Sequence, residues 1–292
     1  MTVLFVRHRT EYQYRQPVTL NEHRLMSRPR DSHDLRLLDT ALMVIPTPSE
    51  VRWMHDVFGN SIAVTHFSAQ SNELIFESTF RAQHYPLPEE TIYVEPYAQQ
   101  LPFSYSGEDS ADLARTKERQ YPDPEHLIDQ WAKFHVDATP DRGTMSVLTA
   151  MTTAIKQDFA YARREEVGVQ TPLETLALKS GSCRDFAVFM MEAVRSIGLA
   201  ARFVSGYLYD ENLIGAPTGL VGGGATHAWL QVYLPGAGWV EFDPTNALVG
   251  GKNLIRVAVA RQASQAAPLA GGFTGAPDDF LSMHVTVEVT AE

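Results

Sequence analysis

Three residues of this chain could together run thiol chemistry: Cys183, His227 and Asp243. Cys183 is the only cysteine in 292 residues. It follows Ser180-Gly181-Ser182 and opens an apolar run that reads as a helix. Glycine supplies a tight turn, and Ser182 is a good N-cap that can accept from the orphan N–H groups of the next turn. Cys183 then stands in the first helical turn, where the partial positive charge of the helix end favours a thiolate over a thiol. A lone cysteine is more often a small packed hydrophobe, so this chemistry needs a base and an orienting group from elsewhere.

A hairpin further along offers both. Residues 226–234 read as a strand, Pro235-Gly236-Ala237-Gly238 as a turn, and 239–245 as a second strand ending at Pro244. His227 begins one strand and Asp243 ends the other, so both lie at the same end of an antiparallel ribbon. Neighbouring strands are ~4.8 Å apart, which lets a carboxylate reach an imidazole nitrogen across one spacing. Four residues separate Leu234 from Trp239, so Asp243 falls between the levels of Val232 and His227, with the register left open. A nucleophilic thiolate needs a base, and the base needs a partner that fixes its tautomer.

Other elements must position these residues. The first hundred residues read as short strands (3–14, 35–45, 51–57, 62–67, 74–85 and 91–94) with turn signals between them, which suggests a sandwich-like β domain. Phe58-Gly59-Asn60-Ser61 is the turn of a hairpin. Arg24, Arg28 and Arg30 read as surface partners of Asp31 and Asp34. Prolines and acidic residues make 101–125 a linker or an irregular excursion. Residues 126–136 and 145–155 carry helical periodicity. Thr171-Pro172-Leu173-Glu174 is a capping box that starts a helix leading to the cysteine turn. The run from Cys183 to Ile197 is apolar on more than one side, hence a buried helix. Residues 201–208 are β-like. The glycines of 210–224 read as a mobile loop, 262–275 as another loop, and 280–289 as a half-buried strand.

Composition narrows the function classes. A formal charge of −11, from 24 basic and 35 acidic residues, argues against nucleic acid as the main partner. The N-terminus lacks a secretory pattern, no run approaches the ~20 apolar residues of a membrane helix, and one cysteine suits a reducing compartment. These points favour a soluble cytoplasmic protein without a membrane partner. The histidines show no metal-ligand spacing, so neither a metal site nor another cofactor is expected.

Gly181-Ser182-Cys183-Arg184-Asp185-Phe186, residues 198–207, Thr226-His227-Ala228-Trp229 and Trp239-Val240-Glu241-Phe242-Asp243-Pro244-Thr245 resemble the core of the transglutaminase-like superfamily. His8-Arg9-Thr10-Glu11-Tyr12-Gln13-Tyr14, Pro29-Arg30 and Phe58-Gly59-Asn60 resemble the β domain that precedes this core in bacterial members. The resemblance implies an α+β protein. An N-terminal β-sandwich-like domain is followed by a papain-like core, in which the cysteine helix packs on an antiparallel sheet. It also implies roles: Cys183 as nucleophile, His227 as general base and acid, Asp243 as orienter. The expected organisation is a β domain over 1–100, a linker over 101–125, the core over 126–255, and a loop with a C-terminal strand over 256–292. The expected activity is acyl transfer or hydrolysis at a peptide or glutamine-type amide through a thioester. Its partners would be a peptide or protein substrate and, for aminolysis, an amine. A non-catalytic binding module that retains the fold is the alternative. Asp185 points away from the thiol face and should pair structurally, with Arg202 as one partner. Trp229 would wall the imidazole from water or fill the core. The Cys183 N–H is expected in the oxyanion hole, with Tyr161 as one candidate for a second donor. One departure is visible. Bacterial relatives commonly carry a glycine, arginine, aspartate and tyrosine run after the last core strand, and this chain has Ala260-Arg261-Gln262-Ala263-Ser264.

Overall fold

The computed structural model describes residues 2–86, 89–164, 166–209, 221 and 224–292. The N-terminal β domain begins with β1 (Thr2–Leu20), β2 (His23–Arg28), β3 (Leu35–Ile45), β4 (Glu50–His55), β5 (Ser61–His66) and β6 (Gln70–His84). Alternation along β1 places Leu4, Val6, His8 and Thr10 on a buried face. β1 pairs antiparallel with β6, and β3 lines the other side of β6. A second sheet joins β2, β5 and β4. The β4–β5 hairpin turns where Asp56 accepts from the N–H groups of Phe58 (2.9 Å) and Asn60 (2.8 Å). Tyr14, Val18, Leu25, Ala63, Leu74 and Phe76 fill a core shared by the two sheets, as a sandwich requires.

The second half is built around one helix. In order come α1 (Gly107–Asp112), α2 (Ala114–Lys117), α3 (Leu127–Ala138), α4 (Thr144–Asp158), β7 (Ala160–Tyr161), α5 (Pro172–Leu178), β8 (Ser180–Gly181) and α6 (Cys183–Ser196). Strands β9 (Ala201–Leu208), β10 (His227–Leu234), β11 (Gly238–Asp243), β12 (Leu248–Val249) and β13 (Leu254–Ala260) follow, in the antiparallel sheet order β12-β11-β10-β9-β13. Phe186, Phe189, Met190 and Val194 of α6 share a buried core with Ala228, Leu230 and Val232 of β10. α3, α4 and α5 also pack on α6. Enclosure by helices and sheet together explains why its sequence is apolar on more than one side. No helix among the described residues is long and apolar enough to cross a membrane.

The chain then returns to the N-terminal domain through β14 (Leu269–Ala270), which pairs with β2, β15 (Phe273–Thr274), which pairs with β1, and β16 (Phe280–Ala291). β16 runs beside β1 from Leu4↔Ala291 to Tyr14↔Phe280. The stretch 262–275, expected as a loop, thus holds two short strands that close sheet edges. Residue 255 lies inside β13, which belongs wholly to the core sheet.

Three further expectations change. Residues 91–94 form no strand; Glu89–Thr91 is a single 3-10 turn, and Val94 is buried with α6 instead of pairing with a sheet. Residues 101–125 hold the two short helices α1 and α2 and are fixed to the core, because Arg119 reaches the buried Glu192 of α6 (3.1 Å), which also accepts from the N–H of Gln120 (3.0 Å). Among the described residues Arg24, Arg28 and Arg30 make no ion pair with Asp31 or Asp34. Asp34 pairs with Arg256 (3.1 Å), and the Arg28 guanidinium lies 5.6 Å from the Trp53 ring centroid. The expected loop over 210–224 falls almost wholly outside the described residues.

Candidate active site

Cys183 stands at the first position of α6, as its neighbours in the sequence predict. The approach is set by the Thr171–Glu174 capping box: the Thr171 hydroxyl accepts from the Glu174 N–H (3.2 Å), and the Glu174 carboxylate accepts from the Thr171 N–H (2.8 Å). Ser182 is the N-cap of α6, as expected. Its carbonyl accepts from the N–H groups of Asp185 (3.0 Å) and Phe186 (3.1 Å), and its own N–H and hydroxyl both donate to one oxygen of the Asp185 carboxylate (2.8 Å each). The other Asp185 oxygen accepts from the Gln170 N–H (2.7 Å) and from Arg164 (2.8 Å). Burial pushes the Asp185 carboxyl up, but these donors together hold it below the usual carboxylate range. Gly181 is required there, because a Cβ would sit 2.8 Å from the Asp185 Cβ. The partner of Asp185 is therefore Arg164, not Arg202. Arg202 sits on β9, donates to Gln231 of β10 (2.6 Å) and stacks on Trp239.

The hairpin brings His227 to Asp243. Its ladder runs from Leu234↔Gly238 to Leu230↔Phe242. The same register continued places Asp243 level with Trp229, inside the expected interval. His227 Nε2 meets Asp243 Oδ2 at 2.8 Å, with both side chains fully buried. The Thr245 N–H (2.9 Å) and the Asn246 amide (2.8 Å) also donate to Asp243. Burial pushes the imidazole down, but the Asp243 carboxylate outweighs it and Cys183 adds to the rise, to about 10. The rise favours the imidazolium form, and Cys183 lies within electrostatic reach of the ring. His227 Nδ1 has no nitrogen or oxygen partner among the described residues, and the ring's remaining polar neighbour is the Cys183 thiol. With Nε2 engaged by Asp243, Nδ1 is the nitrogen left for the thiol. Cys183 keeps 8 % of its surface exposed.

Trp229 stacks on His227, with planes 27° apart, and is fully buried, so it both walls the imidazole and fills the core. Opposite His227 stands Gly206 of β9. A Cβ there would lie 2.7 Å from the Trp229 ring and 2.1 Å from the Ile255 carbonyl, so only glycine fits. The Trp229 N–H donates to Glu241, which also accepts from Gln231 (2.6 Å) and Arg256 (2.8 Å). Tyr161 pairs with Gly181 across β7 and β8; burial raises its hydroxyl pKa and Cys183 adds to the shift, which places it near the thiol. The departure at 260–264 lies elsewhere: the Arg261 carbonyl accepts from Arg195 (2.9 Å), twelve residues and ~18 Å along α6 from Cys183.

Sequence reasoning missed Asn246, Arg164 and the Glu241–Arg256 pair. Asn246 had a local signal, since an amide three residues after Asp243 can fold back on the carboxylate. The other two join residues that only the tertiary fold brings together. Among the described residues, no group of three His, Cys, Asp or Glu side chains could hold a metal ion.

Comparison with known proteins gives two family matches. The bacterial transglutaminase-like N-terminal region matches residues 4–83, and the transglutaminase-like superfamily matches residues 133–244. The uncharacterised protein Rv2569c of Mycobacterium tuberculosis is 29% identical over 297 residues, 97% of this chain and 91% of its own. The uncharacterised protein ML0607 of Mycobacterium leprae is 36% identical over 118 residues, 40% of each chain. A crystal structure from Cytophaga hutchinsonii, described as that of a candidate cysteine protease, shares the fold. Its TM-score is 0.69 at 19% identity, covering 100% of this chain and 91% of its own.

Proposed function

We propose that this chain, which belongs to the transglutaminase-like superfamily, cleaves or transfers acyl groups at peptide or glutamine-type amides through a thioester on Cys183. The supporting observation is the buried His227–Asp243 pair, with no nitrogen or oxygen partner at Nδ1 and Cys183 within electrostatic reach. The Cys183 sulfur attacks the amide carbonyl as a thiolate beside the His227 imidazolium. The C–N bond breaks, and the amine or ammonia leaves with a proton from Nδ1. Nδ1 then takes a proton from water or from an acceptor amine, which attacks the thioester and releases Cys183. Asp243 holds the ring orientation and the positive charge throughout. The Cys183 N–H, at the first position of α6, has no intrahelical acceptor and is free for the developing oxyanion. Tyr161 is the candidate for the second donor. Hydrolysis and aminolysis share every step up to the acceptor. The Cytophaga protein of the same fold is described as a candidate cysteine protease, which makes hydrolysis the first outcome to measure.

The test is mass spectrometry of Cys183 after incubation with peptide libraries, with and without an added amine. An acyl-enzyme that disappears in water supports hydrolysis, and amine incorporation supports transfer. Substitution Cys183→Ser should abolish both. The near-complete burial of Cys183 favours the alternative, a binding module that retains the fold. Iodoacetamide separates the two: fast labelling at neutral pH supports the enzyme, and labelling at the rate of an ordinary thiol supports the module. Cytoplasmic placement rests on the single cysteine, and cell fractionation checks it.

A further inference from the structure

A cavity of about 570 Å³ lies between the N-terminal domain and the core sheet. Its sheet wall carries Arg202, Gln231, Trp239 and Glu241, and its N-terminal wall carries Arg30, Asp34 and Phe58. The volume suits a small organic molecule, and such sites favour domain junctions.

Charge in the cavity is unevenly satisfied. Arg256 is engaged at both ends, by Glu241 (2.8 Å) and Asp34 (3.1 Å). Asp31, also in the lining, accepts weakly from the Leu37 N–H (3.3 Å), and His33, His84 and Tyr93 complete the titratable groups. Arg202 donates to the neutral Gln231 amide, and its guanidinium lies 4.1 Å from the Trp239 ring centroid. Among the described residues neither Arg202 nor Arg30 makes an ion pair. The Arg30 guanidinium lies along Gly59, whose φ is +76° and where a Cβ would sit only 2.4 Å from it. Any side chain at 59 would push Arg30 out of this position. Burial, and the positive charges of Arg256 and Arg30, lower the Arg202 pKa to about 10 despite the nearby Glu241. Two guanidiniums thus face the cavity without an ion pair of their own, beside an aromatic wall, although Asp31, Asp34 and Glu241 share the lining.

We propose that this cavity binds a small organic carboxylate with an apolar body, such as an acylated amino acid, with Arg30 and Arg202 holding the carboxylate and Trp239 and Phe58 holding the body. A guanidinium fork matches a carboxylate edge, and Gln231 keeps the Arg202 fork in one orientation. The site does not use Cys183 and stands whether or not the chain is an enzyme.

Calorimetric titration of the whole chain at fixed ionic strength tests this, with hippurate as probe. The expected result is saturable binding of one hippurate. Hippuramide, its uncharged analogue, should bind at least about tenfold more weakly. Arg30→Gln, at an exposed position, should weaken hippurate about tenfold at unchanged melting temperature. Cys183→Ser should leave it unaltered. Absence of saturable binding, equal binding of hippuramide, or full affinity in R30Q would overturn the proposal. So would loss of binding in C183S, which places the ligand at the thiol, or inorganic phosphate binding as tightly as hippurate. The hippurate–hippuramide comparison needs no variant and therefore does not depend on R30Q folding.

Discussion

At the site end of the β10–β11 hairpin, two alternating sets of side chains are both buried and chemically opposite. Toward α6 stand Ala228, Leu230, Val232 and Phe242, all apolar and at most 3 % exposed. Alternating with them stand His227, Trp229, Gln231, Glu241 and Asp243, none more than 7 % exposed; Tyr233 and Trp239 near the turn are half-buried, and His227 at the start of its strand still reaches Cys183 at the first turn of α6. Strand alternation assigns each residue to its face. Burial alone therefore does not distinguish core from site. The apolar face is held by excluded water and close packing, which tolerate small shifts. The polar face is held by directional bonds, each atom needing a partner. Among the described residues of these two strands, one buried side-chain atom lacks a nitrogen or oxygen partner: His227 Nδ1. The exception falls where a base would need a free nitrogen.

The contrast can be broken from either side. The largest effect is expected from His227→Gln, which leaves an amide to face Asp243 but removes the base. Iodoacetamide labelling of Cys183, followed by mass spectrometry, should slow by about a thousandfold, within the range of general-base contributions. Labelling at the original rate would remove His227 from the chemistry. On the opposite face, Leu230→Ala should cost ~3 kcal/mol in denaturant unfolding, through lost transfer energy and a residual cavity. Labelling of the folded fraction should stay the same. A large loss of reactivity in L230A would show that the two faces are not separable.

A third experiment uses pH. The His227 pKa is raised from 6.5 to about 10 in the folded chain by Asp243. The stability this adds is fully present below pH 6.5, the unfolded value, and is lost as pH rises toward 10. Asp243→Asn removes the cause. The melting-temperature gap between the native protein and D243N should therefore be widest near pH 6.5 and shrink steadily toward pH 10. A gap that stays constant over that window would mean that the imidazole is not held as a cation.

The sequence discloses the apolar positions and those of the candidate site with different clarity. Cys183, His227 and Asp243 could be read because local signals bracket them: a capping box, a serine and glycine turn, a four-residue hairpin turn. The α6 core face was readable from its apolar run. Partners chosen by tertiary approach were not. Asp185 takes Arg164 from the loop before α5, while Arg202, whose strand face points away from α6, stacks on Trp239. Residues 269–274 read as loop because two-residue strands leave no periodicity, and only the open edges of β2 and β1 give them a sheet. The stretch at 260–264 departs from the run that bacterial relatives carry, and only the fold shows that Arg195 ties it to the far end of α6.

The smallest predicted effect tests the comparison most finely. Asn246 donates to Asp243 (2.8 Å) and to the Val221 carbonyl (3.1 Å), and accepts from the Val221 N–H (2.7 Å). It supports the carboxylate without touching Cys183 or His227 by any hydrogen bond. Asn246→Ala removes one of three donors to Asp243 and leaves the Thr245 N–H and His227 in place. The variant also loses both bonds to the half-buried Val221, so the stability cost should be ~2 kcal/mol, from three net hydrogen bonds of which the outer two are worth less. If the polar face works by orientation, labelling of Cys183 in the folded fraction of N246A should slow several-fold. Leu230→Ala should show the reverse, a large loss of stability with reactivity kept. Parallel losses in both variants would mean that reactivity follows global stability, and that the carboxylate's setting has no separate role. Opposite ratios would mean that the alternation of one hairpin divides packing from chemistry residue by residue.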